Sequence, residues 1–373
     1  MRNPKRDGSL SSAGSSVHQK IRWVVTFDKV PEPEDDASIN KQFLSCTKEG
    51  NGRCISARRI KGNSSLVELW EFEGPEVDIR THKQKITAGV SSTGTHSDLD
   101  FEIDFKEHFP EGLNFDDFTF PAFSHNGKGE QPLLIAVLDT GVDTSVIPPQ
   151  YLWHDKETKR PGRSFIKNDG KIEDDDKDRH GTMVTSLILE QFRNFPDYPV
   201  QIMNLKTHDA NGKGDLFAVM DAICFARENG ADIINASWGF YQEQDITDSH
   251  LKDLIIKTLF DKKILFVTVS GNKIPGSGPY FFPATFGKGV SDEQKNLIVV
   301  TSISDAMDRV SDYHNSSPEW VDFGVPADTI RNDDGEREYY IYKQLFRSKK
   351  DPKITHSVSM SGTSFATAIA TGR

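Results

Sequence analysis

The segment Leu133 to Leu138 is an unbroken apolar run with no alternation, and it constrains the fold more than anything else in the chain. A strand with one wet face alternates apolar and polar residues, so an unalternating run of this length reads as a strand covered on both faces of a parallel sheet. Parallel neighbours cannot be joined by hairpins and need crossovers, usually helices. The residues that follow supply them. Strand candidates are Gln201 to Leu205, Ile233 to Ala236, Ile264 to Val269 and Leu297 to Thr301. Between them, Asp215 to Asn229 places Leu216, Val219, Met220, Ile223 and Cys224 on one helical face, and Asn229-Gly230 ends it. Leu251 to Phe260 reads as a second such helix. The pattern predicts an α/β fold with a doubly wound, mostly parallel sheet over residues 132–373.

With 373 residues, the chain has room for a second unit ahead of this sheet. Residues 1–17 are polar and rich in Ser and Gly, the composition of a disordered tail. Residues 18–90 read as a small α+β domain. Its strands are Ile21 to Phe27, Cys54 to Ile60 and Leu66 to Phe72, with helices after Ser38 and over Val77 to Ile86. Residues 91–131 open on Ser91-Ser92-Thr93-Gly94 and close on Asn126-Gly127-Lys128-Gly129, which predicts a linker without secondary structure.

Charge and composition exclude several function classes. The net charge of −11 disfavours nucleic acid, whose phosphates require clustered cations. No apolar stretch approaches the ~18 residues of a spanning helix, so no membrane role is expected. The first twenty residues hold no apolar core of a secretory signal, and three cysteines (Cys46, Cys54, Cys224) suit a reducing compartment. The expected address is cytoplasmic. Cys224 falls in an apolar helical stripe and reads as core packing. The acidic runs Glu32 to Asp36, Asp98 to Asp117 and Glu173 to Asp178 read as solvated loops.

In open α/β sheets, reactive residues gather at the carboxyl ends of strands. Asp139 follows the first buried run and precedes a Thr140-Gly141 turn; His180 opens a helical stretch with Gly181-Thr182; Asn272 ends Ser270-Gly271-Asn272; Ser364 lies in Gly362-Thr363-Ser364-Phe365-Ala366. Singly, each reads as an ordinary turn or helix-cap residue. Acyl transfer needs a hydroxyl nucleophile, a base for its proton, a carboxylate to orient that base, and donors for the developing oxyanion. The order Asp, His, Ser is the one that subtilisin, a standard worked case, uses. With Ile233 to Gly239 as a fifth block, residues 132–373 resemble the subtilisin family (subtilases).

The resemblance implies a serine endopeptidase with Asp139, His180 and Ser364 as catalytic triad and Asn272 in the oxyanion hole. It implies a polypeptide substrate held between two edges, Ser237, Trp238 and Gly239 on one side and Gly212 to Gly214 on the other, with Lys273 near the primary pocket. No cofactor is required. A structural calcium ion is a family feature, and the loop 169–178 offers hard oxygen ligands in a spacing that matches no dedicated calcium loop. The N-terminal unit is similar in element order to the family's prodomains, which implies intramolecular inhibition; an unrelated interaction domain fits the same residues.

Several positions depart from the family. Arg179 stands where Gly is usual, Met183 and Thr185-Ser186 replace His and Ala-Gly, and Ala368 replaces Pro. The sequence stops at Arg373, so the peptidase domain is expected to be truncated at its C-terminal end. These departures keep a second reading open, a catalytically impaired pseudo-protease that binds peptides. A related acid-active peptidase with a Glu base is disfavoured by the complete His180-Gly181-Thr182 block.

Overall fold

By contact, the chain divides into two compact units, Met1–Arg59 with Ser64–Leu99 and Ile60–Asn63 with Asp100–Arg373. The structure is a computed structural model. It describes residues 19–27, 53–59, 66–74, 96–99, 102–104, 115–124 and 131–373, the last range without 167–169, 196, 243–248, 273–279, 292, 294, 304–309, 311–313, 328, 332–336 and 341. In the first unit, β1 (Gln19–Phe27), β2 (Arg53–Arg59), β3 (Leu66–Gly74) and β4 (His96–Leu99) form an antiparallel sheet in the order β2-β3-β1-β4. The apolar pair Val24 and Leu69, opposite one another across β1 and β3, is buried. The two helices expected in this unit fall outside the described residues.

In the second unit, residues 102–104 and 118–119 already carry short strands, β5 (Glu102–Asp104) and β6 (Phe118–Thr119). With β4, they overturn the expectation of an unstructured 91–131. Each is too short to show periodicity, and each pairs with residues distant in sequence, so no local signal announces it.

The large sheet is built from β7 (Leu133–Asp139), β8 (Arg163–Ser164), β9 (Val200–Lys206), β11 (Ile233–Ala236), β13 (Leu265–Val269), β15 (Leu297–Ile303) and β16 (Phe323–Pro326). All seven are parallel, in the order β16-β15-β13-β11-β7-β9-β8. The apolar run becomes β7, buried from its second residue onward. Neighbours β9 and β11 flank it on opposite sides, so the winding reverses at β7 and a crevice opens at its carboxyl end.

Among the described residues, four α-helices accompany the sheet: α1 (His180–Phe192), α2 (Leu216–Glu228), α3 (His250–Asp253) and α4 (Thr363–Gly372). Asp215 caps α2, accepting from Ala218 N–H at 2.7 Å. The expected single helix over 251–260 is instead α3 continued by a π-helical turn, Leu254–Leu259. There the Ile255 carbonyl accepts from Asn296 Nδ2 at 2.8 Å. Helix α4 packs on α1 and over β11, β13, β15 and β16. Small antiparallel pairs decorate this frame: β10 (Lys213–Asp215) with β5; β12 (Phe240–Gln242) with β14 (Tyr280–Phe282); β17 (Thr329–Arg331) with β18 (Arg337–Tyr340). A final sheet has β19 (Tyr342–Ser348) between β20 (Thr355–Met360) and β6.

Candidate active site

Asp139 is the last residue of β7, where the winding reverses, and His180 is the first residue of α1. His180 Nδ1 lies 2.7 Å from Asp139 Oδ1, and both side chains are buried. A carboxylate accepts, so Nδ1 carries the proton and donates it. Two glycines make the approach possible. Gly141 has φ +114°, and a Cβ on it would lie 2.7 Å from the carbonyl oxygens of Ile172 and Glu173. A Cβ on Gly181 would lie 2.2 Å from the Gly141 carbonyl oxygen and 3.1 Å from Asp139 Cβ. Only glycine lets α1 start against the Asp139 turn.

Arg179, the N-cap of α1, is left-handed (φ 53°, ψ 46°) and makes no side-chain cap bond. The capping comes from elsewhere. Asp176 Oδ2 accepts from His180 N–H (3.1 Å), Thr140 Oγ1 from Gly181 N–H (2.9 Å) and Asp174 Oδ2 from Thr182 N–H (2.8 Å). Asp174 also accepts from the hydroxyls of Thr140 (2.9 Å) and Thr182 (2.6 Å). One carboxylate thereby ties the residue after Asp139 to the first turn after His180. Burial pushes the Asp174 carboxyl up to about 7, against the pull of these hydrogen bonds, and the nearby charge of Asp139 adds to the rise. Burial likewise raises Asp176.

The run Glu173 to Asp178 is therefore not simply a solvated loop. Asp174 and Asp176 are buried, and Asp175 pairs with the buried Lys206, whose Nζ also donates to the Glu173 carbonyl at 3.0 Å. Glu173 Oε2 accepts from Ile172 N–H at 3.1 Å. Among the described residues, no group of three or more His, Cys, Asp or Glu side chains is placed to hold a metal ion.

Ser364 is the second residue of α4 and is 3% exposed. Its hydroxyl donates to the Ser237 carbonyl at 2.9 Å, while Ser237 Oγ donates to the Ser364 carbonyl at 3.1 Å. The ring of Phe365, the next residue, stands 5.8 Å from that of His180. Asn272 approaches from the end of β13. Its Oδ1 accepts from Thr363 N–H (3.3 Å), Thr363 Oγ1 (3.1 Å) and His314 Nδ1 (2.8 Å). A backbone N–H can only donate, so the amide oxygen faces Thr363; His314 must then hold its proton on Nδ1. The amide NH₂ is turned away from these three donors.

The other sequence-designated residues divide. Gly212 and Gly214 are buried, and Gly214 lies in β10, paired with Ile103 of β5. Ser237 is drawn into the Asn235 and Ser364 bonds, and Trp238 is buried with its ring 5.8 Å from His208. Gly239 abuts the ring of Phe281. Lys273 lies outside the described residues. Sequence reasoning saw Asp174 only as one of the acidic residues just before His180 and not as the buried tie between Thr140 and Thr182, and it did not single out His314 or Phe281, neither of which stands in a motif.

Comparison with known proteins bears on the family. The Subtilase family matches residues 130–373. Among curated proteins, the chain is 30% identical over 223 residues to a thermophilic serine proteinase of Bacillus sp. (strain AK1), covering 57% of this chain and 49% of that protein. It is 26% identical to the minor extracellular protease Epr of Bacillus subtilis (strain 168), over 52% of this chain and 27% of that protein. It is 24% identical to alkaline elastase YaB of Bacillus sp. (strain YaB), over 81% and 75%. The chain thus spans about half the length of the first relative and about a quarter of the second.

Proposed function

The chain belongs to the subtilase family, and from that premise we propose that it is a serine endopeptidase acting through Asp139, His180 and Ser364. The observation that carries this reading is the 2.7 Å bond from His180 Nδ1 to Asp139 Oδ1 at the carboxyl end of β7. It leaves Nε2 as the acceptor of the base. Ser364 Oγ attacks the scissile carbonyl carbon as its proton passes to Nε2, and the carbonyl oxygen takes the negative charge. Asn272 Nδ2–H and Ser364 N–H donate to that oxygen. Collapse expels the amine, which receives the proton from His180 and leaves an acyl ester on Ser364. Water, deprotonated by His180, then releases the acid and restores the hydroxyl. Asp139 holds the imidazole tautomer throughout and stabilises the imidazolium. No cofactor takes part. Cleavage of a peptide library by wild type but not by Ser364→Ala is the expected result, and equal cleavage by both removes the assignment.

The same site is proposed to be restrained by its own chain. Strand β5 pairs antiparallel with β10, setting Ile103 opposite Gly214 and Asp104 opposite Lys213. That is the edge on which a peptide substrate is expected to add as a strand. His180 and Ser364 are 0% and 3% exposed, so a substrate reaches them only after something moves. Strand β5 belongs to the second unit; inhibition by the N-terminal unit, read as α+β and prodomain-like, is proposed in addition. A cytoplasmic address stays part of the proposal.

A second reading rests on one observation: the Ser364 hydroxyl points its proton at the Ser237 carbonyl. A pseudo-protease that binds peptides without cutting them would keep that arrangement permanently.

A further inference from the structure

Two segments flank Ser364: the end of β11, whose Ser237 carbonyl accepts from Ser364 Oγ, and the end of β13, whose Asn272 is bonded to Thr363. Strands β11 and β13 are adjacent and parallel, with Ala236 opposite Thr268, so the segments leave the sheet side by side. Each carries a glycine where a side chain would narrow the space between them, Gly239 on one and Gly271 on the other. A space lined by glycine on both sides, beside the nucleophile and the oxyanion amide, is where the side chain preceding the scissile bond would go.

That space is already filled. A Cβ on Gly239 would lie 2.3 Å from Phe281 Cζ, and one on Gly271 would lie 2.7 Å from Phe281 Cε2 and Cζ. One phenyl ring therefore touches both glycines. It is also held in place. Phe281 is the middle residue of β14 and pairs with Tyr241 of β12. The two rings meet edge to face at 4.8 Å, and the Phe281 carbonyl accepts from Thr285 Oγ1 at 2.6 Å. Tyr241 is tied to the site in turn, its hydroxyl donating to the Asn272 carbonyl at 2.8 Å. Phe281 is 6% exposed.

Resting on the proposed peptidase reading, we propose that Phe281 is the specificity-determining residue of this chain, plugging the primary pocket so that cleavage follows small residues such as Ala, Ser or Gly. With the ring in the pocket, a methyl or hydroxymethyl group is the largest side chain expected to enter without displacing it. A Phe, Leu or Lys side chain would have to displace it from packing against Tyr241, and overpacked sites resist such insertion.

The test uses the full-length chain, its Phe281→Ala and Phe281→Leu variants and a peptide series differing only at the residue before the scissile bond. Wild type is expected to favour Ala over Phe by at least about 10-fold in kcat/KM, the scale on which a pocket discriminates by size. In Phe281→Ala the Phe-to-Ala ratio should rise by about 10–100-fold. Phe281→Leu, milder in its effect on packing, should fall between the two. A wild type that cleaves best after Phe, Leu or Lys, or a ratio unchanged in the folded variants, overturns the plugged pocket and leaves the peptidase reading standing. Should Phe281→Ala not fold, the wild-type profile and Phe281→Leu decide. A wild type that cleaves no peptide while Ser364 fails to react with a fluorophosphonate overturns both.

Discussion

The hydroxyl of Ser364 and the main-chain carbonyl of Ser237 are hydrogen-bonded at 2.9 Å, and that bond must break before His180 can receive the proton. One neutral hydrogen bond is worth about 1 kcal/mol, so the rotation costs at most about a tenfold factor in rate. The Ser237 side chain is a separate matter, because its Oγ bridges Asn235 Oδ1 (3.0 Å) and the Ser364 carbonyl (3.1 Å). Ser237→Ala keeps the main-chain carbonyl but strands a buried amide oxygen. It should lose about 1–3 kcal/mol in urea unfolding while still cleaving peptide. Full stability in this variant would show that the bridge contributes nothing.

His314 is expected to act on turnover through Asn272. With its Nδ1–H on Asn272 Oδ1, it helps keep the amide NH₂ directed away from Thr363. Asn272→Ala should lower kcat by about 10²–10³ with KM little changed. His314→Ala should lower kcat by a smaller factor, and His314→Asn, which keeps a donor near the Nδ1 position, should restore most of it. In the Asn272→Ala background, His314→Ala should have almost no further effect. Additive losses would mean that His314 does not work through the amide.

Asp174 makes stability depend on pH in a direction opposite to most carboxylates. Its carboxyl titrates at 3.8 when unperturbed and near about 7 in the folded protein, where burial is the main cause. Between those values the folded state holds a proton that the unfolded chain has lost. The associated stability is complete below 3.8 and is lost as pH rises through about 7. Asp174→Asn should therefore gain on wild type as pH goes from 4 to 8, by at most ~4 kcal/mol. His208 works the other way. Burial lowers its imidazole from 6.5 to about 4, so its contribution is present above 6.5 and fails as pH falls through about 4. Urea unfolding at pH 5, 7 and 9 reads the Asp174 effect, and parallel curves for variant and wild type would contradict it.

The strand in the groove edge predicts where the chain cuts itself. Strand β5 lies along the edge expected to take substrate, and its pairing with β10 ends at Asp104 opposite Lys213, so cleavage is expected in the residues that follow it. Purified wild type should accumulate a product cleaved within residues 105–114, seen by intact mass, and Ser364→Ala should stay full length. An active wild type that remains uncut, or a Ser364→Ala protein cut at the same place, removes self-restraint from the proposal.

Much of the peptidase unit was legible because its signals are local. The run at Leu133, the helical stripe at Leu216 and the stop at Asn229-Gly230 each report on neighbours within one element. The glycines at 141 and 181 were visible as motif letters, and the structure supplies the reason, a close approach that a Cβ would block. What stayed hidden depends on distant partners. Asp174 and Asp176 looked like solvent-facing charge until Thr140, Thr182 and the first amides of α1 proved to be their partners. Strand β5 gains its meaning only from β10, more than a hundred residues away, and Phe281 only from two glycines just past the ends of β11 and β13.

The central claim is that Ser364 is a nucleophile activated by His180. A fluorophosphonate probe reacts only with an activated serine hydroxyl, and peptide mapping locates the adduct. Full-length wild type should carry one label, on Ser364, and His180→Ala and Ser364→Ala should carry none. A wild type that stays unlabelled after the 91–131 segment has been cut, or a label that persists in His180→Ala, would contradict it.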